Sequence, residues 1–248
     1  MKKSNQKRNK AGKLYLVPTP LSPSQQEFLL PGDAEKVRKL KRIFAENPKT
    51  ARAFLKLLNP ETPIQEIEIY TFDEHTRDKA AHELIRLLSD GVDTGMMTEA
   101  GVPAVADPGS RLVRLAHMKN IEVVPMIGPS SILLALMASG LNGQKFCFDG
   151  YLPVDQNKRE DVLRALEADS LKSATTHIII ETPYRNRHLW NSMLNVCHPN
   201  CELSIAVNLG GQDQYIKTAK VGDWKNIRWP DLDRKQAVFL LNSKATIK

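Results

Sequence analysis

The chain has 248 residues, 42% hydrophobic and 25% charged, the balance of a soluble globular protein with room for one large domain or two modest ones. No apolar run reaches the roughly 18–20 residues that span a bilayer, and the basic N-terminus lacks the apolar stretch of a secretory signal. This argues against a membrane or exported protein and for the cytoplasm. The formal net charge is +7, but Lys2, Lys3, Lys7, Arg8, Lys10 and Lys13, with no acid among them, fall in residues 1–13, leaving 29 bases against 28 acids in the rest. So polar a tail builds no core. It is either a solvated terminus or a row of cations for phosphates, whose affinity would depend on salt. Cys147, Cys197 and Cys201 are too few for a disulfide framework and suit a reducing compartment. Cys197-His198-x-x-Cys201 has the look of half a zinc site, but no second ligand pair occurs, so no metal is expected.

Lys13–Val17 is a short apolar run stopped by Pro18-Thr19-Pro20, a buried strand feeding a rigid loop. Residues 21–34 read mainly as loop, and a basic helix over Ala34–Lys41 leads to a strand at Arg42–Glu46. Pro48 and Thr50 open a helix through Leu58, with Ala51, Phe54, Leu55 and Leu58 on one face. Glu66–Phe72 alternates as a strand, residues 76–89 have helical spacing ended by Gly91, and Asp93–Thr98 is a strand. Asp107 then supplies an N-cap and Pro108 a first helical residue. Glu122–Met126 is a strand. Ser130 or Ser131 caps an apolar helix ending at Gly140, which should be buried on most sides.

Beyond it come a strand at Phe146–Gly150, an amphipathic helix at Lys158–Ala168, a strand at Thr176–Glu181 and a helix at Asn186–Val196. Strands at Leu203–Asn208, Tyr215–Val221 and Ala237–Asn242 follow, the last two with no helix between them. Alternating strand and helix in the first half predict a parallel sheet, and the run of strands in the second half predicts a mixed one.

Neither a P-loop nor G-x-G-x-x-G after the first strand is present, which argues against a nucleotidase and a standard dinucleotide fold. The informative stretch is Thr98-Glu99-Ala100-Gly101-Val102-Pro103-Ala104-Val105-Ala106-Asp107-Pro108-Gly109, between a strand and a helix. Ligands of open α/β sheets bind at the carboxyl ends of strands, and Gly101 and Gly109 permit close backbone approach. A tight turn without a ligand uses the same residue types.

Gly101-x-Pro103-x-x-x-Asp107-Pro108-Gly109 resembles the G-x-P-x-x-x-D-P-G motif of the tetrapyrrole methylases, and is most similar to the ribosomal RNA cytidine 2′-O-methyltransferases of that family. Further pieces fall in family order: Leu14–Pro20, Glu74-His75, Val124–Ser131, Phe148–Pro153 and Glu181–Arg185. The resemblance implies an α/β protein of two domains, residues 14–127 and 128–248 after the tail of residues 1–13, with S-adenosylmethionine in the cleft between them. It implies cofactor contacts at Pro20, Glu99, Ala100, Gly101, Pro103, Asp107, Ser130 and Ser131, and from the second domain at Ala206, Val207 and Ala237. It also implies a homodimer, and ribosomal RNA or the small ribosomal subunit as partner.

Methyl transfer to a ribose hydroxyl needs an oriented acceptor and gains from a general base. Glu46, His75 and Glu181 are the candidates. Arg185 either holds a phosphate or cofactor carboxylate or pairs with a neighbouring acid. The chain departs from the RNA enzymes at residues 45–50, 207–212 and 234–236. A small tetrapyrrole-like acceptor and a cofactor-binding protein without transfer activity are the alternatives.

Overall fold

The structure, a computed structural model, describes residues 11–25, 27–72 and 78–244, with side chains from residue 82 onward in the last stretch. His75, most of the basic tail and Glu74 therefore lie outside the described residues. The chain forms two compact units, the first ending at Pro129 and the second beginning at Ser130.

In the first unit β1 (Leu14–Val17), β2 (Arg42–Ala45), β3 (Glu68–Thr71), β4 (Thr94–Met97) and β5 (Val123–Pro125) form one sheet in the order β3-β2-β4-β1-β5. Every pairing is parallel, as the alternation of strand and helix predicts. Both faces are covered. Helices α1 (Pro31–Arg38) and α2 (Pro48–Leu58) bury Val37, Ala51 and Leu55 against Val17, Ile43, Ala45 and Met97. Helices α3 (Asp78–Leu87) and α4 (Gly109–Met118) bury Leu84, Ile85, Leu112 and Ala116 against Leu14, Phe44 and Met96 on the other side. Strands packed on both faces need unbroken apolar runs, which is why Ile43-Phe44-Ala45 and Met96-Met97 show no alternation.

In the second unit β6 (Phe146–Tyr151), β7 (Thr176–Ile180), β8 (Glu202–Val207), β9 (Tyr215–Lys220) and β10 (Ala237–Asn242) form a mixed sheet, β6-β7-β10-β8-β9. Only β6 and β7 run parallel. Helices α5 (Ser131–Ser139), α6 (Gln156–Ser173) and α7 (Asn186–Val196) pack around it. The core centres on Trp190, whose ring meets Trp224 edge-on at 4.9 Å.

Several elements differ from the sequence reading. Helix α1 begins at Pro31 and so takes in residues read as loop, because proline at the first helical position needs no hydrogen-bonded N–H. Helix α6 extends well beyond Lys158–Ala168; Asp155 caps it by accepting from Lys158 N at 3.0 Å, and it runs until Ala174 adopts φ +59°. A short helix α8 (Val221–Trp224) lies between β9 and β10, where none was expected. Tertiary burial makes it: the Trp224 indole donates to Leu203 O and Ala219 O at 3.2 and 3.1 Å. Helix α5 is not buried on most sides. Its Ala135–Leu136–Ser139 side is buried and the helix rests on β8, β9 and β10, while Leu133 and Met137 are 56% and 75% exposed. An apolar helix packed on one sheet face has only one side to bury. Among the described residues all three cysteines are free and no helix is long and apolar enough to cross a membrane.

Candidate functional site

The first unit gathers its candidate residues at the carboxyl ends of β1, β2 and β4. Strands β1 and β4 are neighbours, yet the chain leaves β1 toward the α1–α2 face and leaves β4 toward the α3–α4 face. Two exit loops diverging from adjacent parallel strands leave a crevice between them. Here the loops are also joined: Thr19 N donates to Gly101 O at 2.9 Å and Gly101 N to Thr19 O at 3.1 Å. The buried Thr19 hydroxyl donates to Thr98 O at 3.2 Å. Gly101 has φ +79°, and a Cβ there would lie 3.1 Å from Leu21 Cδ2 and 3.3 Å from the Pro129 carbonyl oxygen. Only glycine takes that conformation at no steric cost.

Asp107 organises the rest of the loop. Its carboxylate accepts from Ala104 N at 2.8 Å and from Gly109 N at 2.7 Å. Pro108, not Asp107, is the N-cap residue of α4, so the expected cap is displaced by one position. The carboxylate spans the loop and holds Ala104 and Ala106 at φ +66° and +62°, a region alanine avoids. Gly109 lets the loop press inward, since a Cβ there would be 2.7 Å from Met96 Cε and 2.8 Å from Asp107 Oδ1. Pro20 and Pro103 are buried, Ala100 is half-buried and Glu99 is exposed.

Glu46 leaves the end of β2 and accepts from the Thr98 hydroxyl at 2.9 Å. Burial raises its proton affinity first, and the nearby charges of Asp107 and Glu99 raise it further, against the Thr98 hydrogen bond. Burial likewise raises Asp107, opposed by its bonds from Gly109 and Ala104. A void of about 10 Å³, bounded by Phe44, Glu46, Phe72, Thr98, Pro103 and Asp107, lies beneath these groups. It holds a water at most and is too small for a ligand. Asn47 Nδ2 donates to Glu99 Oε1 at 3.2 Å while its side-chain oxygen caps α2. Thr98, Thr19 and Asn47 were not singled out in the sequence; Thr98 heads the motif, but only the folded chain shows that its hydroxyl meets Glu46.

The second unit places its candidates at one end of its sheet. Ala206 and Val207 close β8, Ala237 opens β10 opposite Val207, and Val238 pairs with both Ala206 and Ile180. Glu181 follows Ile180 directly. Its carboxylate side chain is 1% exposed. Its Oε1 accepts from Thr182 N at 2.6 Å and from Arg185 Nη2 and Nε at 2.5 and 3.0 Å. Arg185 thus pairs with a neighbouring acid, one of its two sequence readings, and that acid is mostly enclosed. Asn186 donates to Lys235 O at 2.6 Å and fixes the loop before β10. Asn208 at φ +48° donates to Asp213 at 2.7 Å, and Lys235 pairs with the same carboxylate at 3.1 Å, so the divergent 207–212 and 234–236 segments are joined. Ser130 is the N-cap residue of α5, but its side chain makes no capping bond; the backbone carbonyl accepts from Leu134 N at 2.9 Å. Ser131 is the first residue of that helix.

Comparison with known proteins bears on this arrangement. The family model for tetrapyrrole (corrin/porphyrin) methylases matches residues 13–224. Ribosomal RNA small subunit methyltransferase I of Bacillus subtilis is 28% identical over 230 residues, 93% of this chain and 74% of the relative. The protein of that name from Escherichia coli O157:H7 is 31% identical over 172 residues, 68% of this chain and 57% of the relative, so the match spans little more than half of that relative's length. The methyltransferase CobJ superposes with a TM-score of 0.63 at 17% identity, covering 96% of this chain and 97% of CobJ. The uroporphyrin-III-C-methyltransferase of Thermus thermophilus superposes with a TM-score of 0.56, also at 17% identity, covering 94% of each chain. The fold is thus shared with solved methyltransferases, and by its match over residues 13–224 the chain belongs to the tetrapyrrole (corrin/porphyrin) methylase family.

Proposed function

We propose that this chain is an S-adenosylmethionine-dependent methyltransferase acting on a ribose 2′-hydroxyl of small-subunit ribosomal RNA. The relatives named for small-subunit ribosomal RNA support the acceptor, and the family supports the reaction. The observation that carries the mechanism is Glu46, a half-buried carboxylate at a strand end whose proton affinity is raised.

The chemistry of the first-unit crevice fits the cofactor. Glu46 has the charges of Glu99 and Asp107 close by, beside the small residues Ala100 and Gly101, a setting that suits a sulfonium cation. Bound S-adenosylmethionine supplies an electrophilic methyl group. Gly101 and Ala100 would face it with backbone, and exposed Glu99 would accept from its hydroxyls or ammonium. A ribose hydroxyl is a weak nucleophile, and Glu46 takes its proton. A base of raised proton affinity suits that task at neutral pH. Orienting the acceptor in line contributes on the order of 7–11 kcal/mol at best. Glu181 is the weaker candidate for a base, because three donors from its own loop already hold its Oε1. The acidic rim disfavours a compact polycarboxylate such as a tetrapyrrole, and the six bases among residues 1–13 suit a phosphate backbone.

The test is transfer of labelled methyl groups to small ribosomal subunits from a strain lacking this protein, with cofactor binding measured on the same sample. Label mapped to a ribose oxygen, and lost with Glu46→Gln, is the expected result. Cofactor binding without label in the RNA overturns the acceptor. Label elsewhere on the RNA overturns the ribose assignment.

A further inference from the structure

Away from the strand ends, the second unit builds a cluster that methyl transfer does not use. Cys197 is the C-cap residue of α7, with its N–H bonded to Met193 O at 3.1 Å. Cys201 N donates to His198 O at 2.8 Å, which closes a turn and returns the second thiol to the first. The two residues are 5% and 1% exposed, and the Cys201 thiol lies 3.8 Å from the Glu202 and Asn242 carbonyl oxygens. Glu167 of α6 comes down on this pair, and one ligand atom from each of the three residues lies within 4.8 Å of the others. Its carboxylate is oriented: Oε1 accepts from His198 N at 2.9 Å and from the Ser243 hydroxyl at 3.1 Å. Beside the cluster opens a hollow of about 510 Å³, lined by Arg164, Glu167, His198, Asn200, Cys201 and Ser243 among others.

Buried thiols alone pack as small apolar groups. A carboxylate fixed by two outer donors against two thiols is instead the pattern of a ligand set with its supporting shell. Two sulfurs and one carboxylate select a borderline-soft divalent ion of tetrahedral preference and disfavour Mg²⁺ and Ca²⁺. We propose that Glu167, Cys197 and Cys201 bind a thiophilic divalent cation, Zn²⁺ by ligand chemistry, with the fourth position filled from the hollow by His198 or a water. Two thiol protons pass to solvent as the ion enters. The ion clamps the α7–β8 turn onto α6 and the segment after β10. A second cluster, Cys147, Asp149 and His177, is also within 4.8 Å. There both imidazole nitrogens are already engaged, by Asp149 at 2.9 Å and Asp169 at 3.1 Å.

The experiment uses the full chain carrying Cys147→Ser, so that the pair holds the only thiols. Cd²⁺ is titrated while the ultraviolet thiolate-to-metal band is followed, and Zn²⁺ bound per chain is counted by native mass spectrometry. One ion per chain, displaced by Zn²⁺ and not by Mg²⁺, with a raised Tm, is expected. Cys197→Ser and Cys201→Ser should abolish the band. Glu167→Gln, a half-exposed position where folding should survive, should keep the band and weaken affinity by at least about 10-fold. The proposal is overturned by the absence of a band in the Cys147→Ser chain, or by unchanged affinity in Glu167→Gln.

Discussion

The Thr98 hydroxyl donates to Glu46 Oε1 at 2.9 Å, joining the end of β4 to the end of β2. Burial has raised the proton affinity of both Glu46 and its neighbour Asp107. The native state therefore holds the Glu46 proton more tightly than the unfolded chain does. By linkage this favours folding at low pH, and the advantage is lost as pH rises from 4.5, the ordinary value, through the raised native one.

Thr98→Val removes a donor that favours the carboxylate. The rising limb of the kcat/KM profile against pH should move to higher pH, with a stability loss of about 1 kcal/mol. Glu46→Gln should erase that limb and lower transfer by about 10²–10⁴-fold while cofactor affinity is kept. The same variant should be more stable than the parent at pH 8 and lose that advantage near pH 4, as urea titrations at the two pH values would show. An unchanged pH profile in Thr98→Val would remove Glu46 as the base.

Gly101→Ala places a side chain where φ is +79° and Leu21 and the Pro129 carbonyl are close. Destabilisation by about 1–2 kcal/mol is expected. Loosening of the Thr19–Gly101 bridge should weaken S-adenosylmethionine binding in calorimetry, and a variant that binds as tightly as the parent would show that the bridge does not shape the site.

Asp107→Ala removes the acceptor for Ala104 N and Gly109 N. A loss of about 1–3 kcal/mol is expected for the unpaired donors, softened by removal of a buried charge. Adding Ala104→Gly should recover part of it, because glycine accepts the positive φ without steric cost. Thermal unfolding of both variants checks the order.

His177 lies between Asp149 of β6 and Asp169 of α6, with Cys147 beside it and Lys145 near Asp169. Burial pulls its proton affinity down, but the two carboxylates outweigh it and the net shift is upward. For a histidine with a raised native value, the added stability is complete below the ordinary 6.5 and disappears as pH rises through the native value. His177→Gln should therefore cost more stability at pH 6 than at pH 9 in urea unfolding. Equal cost at both would mean the ring is neutral throughout.

Deleting residues 1–10 removes five of the six bases of the tail. If the tail lies along RNA, the slope of log affinity against log salt should fall by up to about 4. An unchanged slope identifies a solvated terminus.

Much of this was legible in the chain itself. The parallel sheet follows from strands and helices that alternate between Leu14 and Pro125, and the glycine and proline spacing from Gly101 to Gly109 marks the loop after β4. Boundaries moved where local preference was outvoted: burial of the Trp224 indole made α8, and the Asp155 cap lengthened α6. Helix α5 was misjudged because composition gives a helix's apolarity but not how many neighbours it has.

What the sequence determined by itself is the order of the elements other than α8, and the family, because periodicity, turn residues and motifs are local. The tertiary structure decided which distant groups meet. Thr98 and Glu46 are 52 residues apart, and parallel pairing of β2 with β4 is what brings them together. Cys197-His198-x-x-Cys201 looks like half a site on paper. The third proposed ligand, Glu167, comes from a helix 30 residues earlier, and only packing of α6 over that turn supplies it.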